Sequence, residues 1–106
     1  MGKAQRRKGL ERERQFVNHW RGLDVRAERV PLSGAAGGSY TGDVDWYPLG
    51  RDEAPLVGEI KARKEGAGFK TLTRWLGGND FLVLHADHSE RLYVVPECVI
   101  QRLVKR

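Results

Sequence analysis

Apolar residues recur along this chain with two different periods, and each change of period marks the start of a new element. From Lys8 to Arg21, Phe16, Val17 and Trp20 fall on one stripe of a helix whose remainder is charged, and Gly22 stops it. Asp24 to Val30 reads as a first strand closed by Pro31. Asp43–Tyr47 and Leu56–Lys61 then face each other across the turn Pro48-Leu49-Gly50-Arg51-Asp52, which predicts a hairpin. Phe69 to Leu76 returns to the helical period, with Phe69, Leu72 and Leu76 on one side and Gly77-Gly78 behind it. Asp80 to His85 is nearly continuous in apolar residues, the pattern of a strand covered on both faces. Arg91 to Val95 is its partner across Asp87-His88-Ser89-Glu90. Pro96 suits the first turn of a closing helix, Glu97–Val104, whose stripe is Val99, Ile100, Leu103 and Val104. The order α-β-β-β-α-β-β-α predicts an α/β domain built on a mixed five-stranded sheet flanked by helices.

Polar residues placed on these patterned faces carry the chemistry. Glu13 lies three, four and seven residues before Phe16, Val17 and Trp20, so it shares their face. An acid there either reaches a polar site or forms a salt bridge at the rim of the core, with Arg29 as a partner. Glu11 points elsewhere. Side chains alternate along a strand, so Asp43 and Asp45 share one face, and Glu59 and Lys61 share one face of the next strand. Two carboxylates about a gap suit a hard divalent cation such as Mg²⁺ or Mn²⁺, and a lysine beside them stabilises developing negative charge. That is the donor set of a metal-dependent phosphodiesterase. The small-residue loop Leu32–Gly42 lets a phosphate backbone approach closely, and Ser33 is its one candidate phosphate contact. No Lys-Ser/Thr pair follows, so this is not a phosphate-cradling P-loop.

Composition narrows the partners. The chain has 106 residues, one domain's worth, and 19 Lys and Arg against 14 Asp and Glu give it a formal charge of +5. A small basic domain favours a polyanion, with nucleic acid first among them. Residues 1–7 are basic enough to form a flexible arm that touches phosphates. A single cysteine, Cys98, excludes an internal disulfide, and its apolar setting predicts a buried thiol. No apolar run reaches the length of a membrane span and no signal core follows the start, so a cytoplasmic protein is expected. His85-Ala86-Asp87-His88 lacks the partners a zinc site needs, and Trp46, Trp75 and Tyr93 fit a core better than a base-stacking platform.

In motif order the chain resembles the PD-(D/E)XK nuclease superfamily, and within it the small archaeal and phage-type Holliday junction resolvases. The likeness runs from about Lys8 to Pro96. It rests on Lys8-Gly9 with Glu13-Arg14-Gln15-Phe16-Val17, on Arg29-Val30-Pro31-Leu32-Ser33-Gly34, on Gly42-Asp43, and on Gly58-Glu59-Ile60-Lys61. The resemblance implies a restriction-endonuclease-like fold in which Glu13, Asp43 and Glu59 surround a metal, and in the mechanism expected from it the Ile60 carbonyl helps to hold the ion. It makes Lys61 the group that meets the attacking water or the scissile phosphate. Arg14, Arg29, Ser33, Arg63 and Lys64 would then hold the DNA backbone. Symmetric cutting of a four-way junction further implies a homodimer. Three residues depart from the pattern. Gly42 stands where a proline is usual, Asp45 is an extra acid on the Asp43 face, and Glu11 offers a second Glu-Arg pair on the helix. A nicking or repair-type nuclease on other DNA structures, or a binding module without catalysis, are the alternatives to a resolvase.

Overall fold

The computed structural model describes residues 2–30, 43–63 and 66–104, with residues 2–8 as helix backbone. They form two compact units, one of residues up to Ala62 and one of Arg63–Val104.

The first unit holds α1 (Gly2–Gly22) and three short strands, β1 (Ala27–Arg29), β2 (Val44–Trp46) and β3 (Leu56–Gly58). The strands form an antiparallel meander in the order β1-β2-β3. Ala27 faces Trp46 and Arg29 faces Val44 across one ladder, while Val44 faces Gly58 and Trp46 faces Leu56 across the other. One face of this sheet packs on the helix. Val17 and Trp20 of α1 are buried with Val25, Ala27, Val30 and Val44. Trp46 meets Trp20 with ring centroids 5.0 Å apart and Phe16 at 6.1 Å. Alternation then sends Asp45, between buried Val44 and half-buried Trp46, to the other face.

The helix extends further back than Lys8, to Gly2, and its C-terminal reversal falls later than the glycine suggests. Gly22 is still helical, and the left-handed residue is Asp24 at φ 62°. There the Val25 amide donates to the Trp20 carbonyl at 2.9 Å and the Asp24 amide to the Arg21 carbonyl at 3.0 Å. Arg21 secures the corner by donating from Nε to the Ala27 carbonyl at 2.9 Å.

The second unit holds α2 (Phe69–Leu76), β4 (Leu82–Leu84), β5 (Leu92–Val94) and α3 (Glu97–Leu103). Gly68 and Gly77, both at positive φ, bracket α2, and the Gly77 amide closes it on the Thr73 carbonyl. β4 and β5 pair antiparallel, Leu82 with Val94 and Leu84 with Leu92.

The expected five-stranded mixed sheet is therefore two antiparallel sheets of three and two strands among the described residues. β4 and β5 meet across a short turn and close an antiparallel ladder of their own. β4 is also not covered on both faces. Its three residues are half-buried, and Phe81 beside it is 57 % exposed. Trp75 and Tyr93, expected in a core, are exposed as well. Cys98 is exposed rather than buried, because α3 is only seven residues long and buries none of them. No helix among the described residues is long and apolar enough to cross a membrane.

Candidate active site

The residues of interest gather at the end of the meander where β1 finishes, β2 begins and β3 finishes. Val30, just past β1, donates its amide to the Asp43 carbonyl at 2.9 Å, and the Asp43 amide donates to the Gly58 carbonyl at 2.8 Å. Gly58 is already opposite Val44. Two consecutive residues of one strand thus address a single residue of the other, the arrangement of a β-bulge, which re-aims side chains and ends pairing. β3 stops there, shorter than the expected run to Lys61, and the Glu59-Ile60-Lys61 segment leaves the ladder.

Asp43 holds that segment. Its half-buried carboxylate accepts a hydrogen bond from the Ile60 amide at 2.8 Å. The bond satisfies a main-chain donor that the ladder no longer serves and seats Asp43 against the Glu59-Ile60-Lys61 backbone. It occupies one carboxylate oxygen, Oδ2. On the same segment Lys61 Nζ lies 3.4 Å from Glu59 Oε2, so these two side chains point the same way as alternation predicts. Both are more than half exposed, which leaves them open to solvent and to a ligand. An exposed pair of this kind adds little to stability.

Glu13 reaches the same end of the sheet from α1. Its carboxylate lies 3.3 Å from Arg29 Nε, the last residue of β1. The pairing with Arg29 that the sequence offered as one of two roles is present. Arg14 follows on the exposed side of the helix. Asp45 lies opposite Glu28 and Val57 on the sheet face away from α1. Among the described residues no three His, Cys, Asp or Glu side chains converge as a ready metal cage. Arg63 is exposed and begins the second unit. Ser33 and Lys64 lie outside the described residues.

Sequence reasoning passed over a second group at the opposite end of the strands. Arg26 lies with its guanidinium carbon 4.1 Å from the centre of the Tyr47 ring and bonds Glu28 Oε2 at 2.6 Å and the Arg51 carbonyl at 2.9 Å. The hydrogen bond to Glu28 holds the Arg26 pKa above its ordinary value, against a smaller lowering by desolvation. Beside it is a depression of about 220 Å³ lined by Arg21, Asp24, Val25, Arg26 and Arg51. The signal available in sequence was the alternation that puts Arg26 and Tyr47 on neighbouring strands. Arg26 pairs with Glu28 and Arg51 with Asp24, while Arg21 donates to the Ala27 carbonyl, so the group is largely an ion-pair corner.

Comparison with models of known families, with curated proteins and with solved structures finds no match to this chain.

Proposed function

We propose that this chain is a divalent-metal-dependent endonuclease that cuts branched DNA, in the manner of a Holliday junction resolvase. The observation that supports it most is the bond from the Ile60 amide to the Asp43 carboxylate, which brings Asp43 to the segment carrying Glu59 and Lys61. The donor set fits Mg²⁺ or Mn²⁺, because both ions prefer oxygen and Mg²⁺ keeps several waters, so two carboxylates suffice without a full protein cage. Asp43 through its second oxygen, Glu59, and the Ile60 carbonyl would hold the ion, with Glu13 as a further ligand from α1. When bound, the ion supplies Lewis acidity and an acidified water at neutral pH.

The chain's own residues do the rest. Asp43 fixes the Glu59-Ile60-Lys61 backbone and so positions the lysine. Lys61 neutralises charge on the phosphoryl oxygens as the water attacks, a role for which its exposure leaves it accessible. Arg14, Arg29, Ser33, Arg63 and Lys64 are the proposed backbone contacts, which position DNA without reading its sequence. Two symmetric cuts call for a homodimer, and a cytoplasmic setting fits a DNA substrate.

The test is cleavage of end-labelled four-way junction, flap and linear duplex with Mg²⁺ by the intact protein and by Asp43→Asn and Glu59→Gln. The intact protein is expected to cut the junction in preference to linear duplex. Each variant is expected to lose cleavage while binding the junction as tightly or more tightly, since it removes a carboxylate that repels phosphate. Full cleavage by either variant would sink this assignment, and equal cutting of all three substrates would replace the resolvase with a general nuclease.

A further inference from the structure

The buried residues of α1, Val17 and Trp20, lie in its second half. The helix runs antiparallel to β1: its Trp20 and Arg21 lie level with Val25 and Ala27 through main-chain and side-chain bonds, and its Glu13 lies level with Arg29. Residues 2–12 therefore continue past the sheet at the end where Val30 bonds Asp43. At 1.5 Å per residue this overhang is about 16 Å long. Its described side chains, from Gly9 to Arg12, are largely open to solvent. A Cβ at Gly9 would meet no atom within 4 Å, Leu10 is 43 % exposed, and Glu11 and Arg12 are exposed.

The overhang is also strongly basic. It carries Lys3, Arg6, Arg7, Lys8 and Arg12 against one acid, Glu11. The helix dipole adds positive charge at the same end. Its only apolar residues are Ala4 and Leu10, too few for a helix that lies in a membrane surface. About 16 Å matches the span of roughly five phosphates along one DNA strand. Folding does not explain such a run, because like charges on one helix repel.

We infer that residues 2–12 of α1 form a rigid basic arm that tracks the DNA backbone beside the cleaved phosphate. This rests on the nuclease reading of Asp43, Glu59 and Lys61, and extends it from the reacting bond to the flanking strand. A helix presents about half of its side chains to one partner, so each bound copy makes about two to three phosphate contacts through the arm. An arm already helical also loses less conformational entropy on binding than a disordered tail does.

The experiment is binding of fluorescent four-way junction over a salt series, with cleavage kinetics alongside. The full chain is compared with Lys3→Gln/Arg6→Gln/Arg7→Gln/Lys8→Gln and with Glu11→Lys. The quadruple variant is expected to flatten the slope of log affinity against log salt by about two per bound copy and to raise KM on the order of tenfold, with kcat unchanged. Glu11→Lys is expected to steepen the slope by about one per bound copy. A cleaving protein whose salt slope is the same in all three forms overturns the arm and leaves the nuclease reading standing. So does loss of kcat with an unchanged slope. An intact chain that neither binds nor cuts any DNA overturns both. Arm-dependent binding to phosphatidylserine-containing vesicles, with DNA affinity unaffected, would assign the charge to a membrane instead.

Discussion

Glu13 meets Arg29 at 3.3 Å with a side chain that is only 17 % exposed, while Arg29 remains 37 % exposed. An ionised carboxylate has about four lone-pair sites, and one ion pair does not use them all. The two roles foreseen for Glu13 are therefore compatible, and they separate by experiment. In Mg²⁺ titrations of cleavage, Glu13→Gln is expected to raise the metal requirement about tenfold or more, as loss of a supporting ligand does. Arg29→Gln is expected to weaken junction binding with little change in metal requirement. An unchanged Mg²⁺ dependence in Glu13→Gln would leave Glu13 as a rim salt bridge alone. Lys61→Ala is expected to lower kcat by about a hundredfold or more while sparing junction binding, in line with removal of other electrostatic donors to a transition state. The pairing of Glu13 was legible because the helical period places it unambiguously beside Phe16, Val17 and Trp20. The bond from Ile60 to Asp43 was not, since it uses a main-chain amide that every residue except proline carries. Cys98 was misjudged for another reason: apolar neighbours in sequence bury a thiol only when the helix has a partner on that side.

The corner between α1 and β1 shows how far element ends can be read. Gly22 is the natural stop in sequence, yet the left-handed position is Asp24, two residues later. Helix termini use left-handed residues to satisfy carbonyls, and here the Val25 amide, not a glycine, reaches the Trp20 carbonyl. An aspartate tolerates that conformation better than most residues, at some cost in strain. Asp24→Gly is expected to keep or raise stability, by up to about 1 kcal/mol, and Asp24→Val to lower it by about 1–3 kcal/mol, in urea unfolding. Equal stability of the two variants would show that the corner bears no strain. Strand existence was legible throughout, and strand length was not. At Val30 and Tyr47 single main-chain bonds keep the chain extended one residue past the ladder, whereas at Asp43 the bulge ends the regular pairing.

At the scale of the molecule, periodicity and turns identified the five described strands and the pairings of β2 with β3 and of β4 with β5, but not their division into two sheets. A period of two records that one face is apolar, and says nothing about which edge a strand joins. The short turn Asp87–Glu90 therefore predicts β4 and β5 as a pair, while nothing in the pattern predicts a sheet separate from the first. The proposed pair of symmetric cuts by a dimer makes a prediction about mixed assemblies. Intact protein mixed with excess Asp43→Asn, under conditions that exchange subunits, is expected to convert four-way junctions to singly nicked product. Undiminished paired cutting in the mixture would mean that each copy acts alone. The tryptophans give each unit its own optical signature. Trp20 and half-buried Trp46 touch within the first unit, so their transitions couple, and the buried Trp20 is shielded from aqueous quenchers. Trp75, on α2 of the second unit, is 56 % exposed and is open to the same quenchers. Dichroism from the coupled pair therefore reports on the scaffold of Asp43 and Glu59, and quenchable emission reports on residues 63–104. The unfolding of each can be followed in the unlabelled chain.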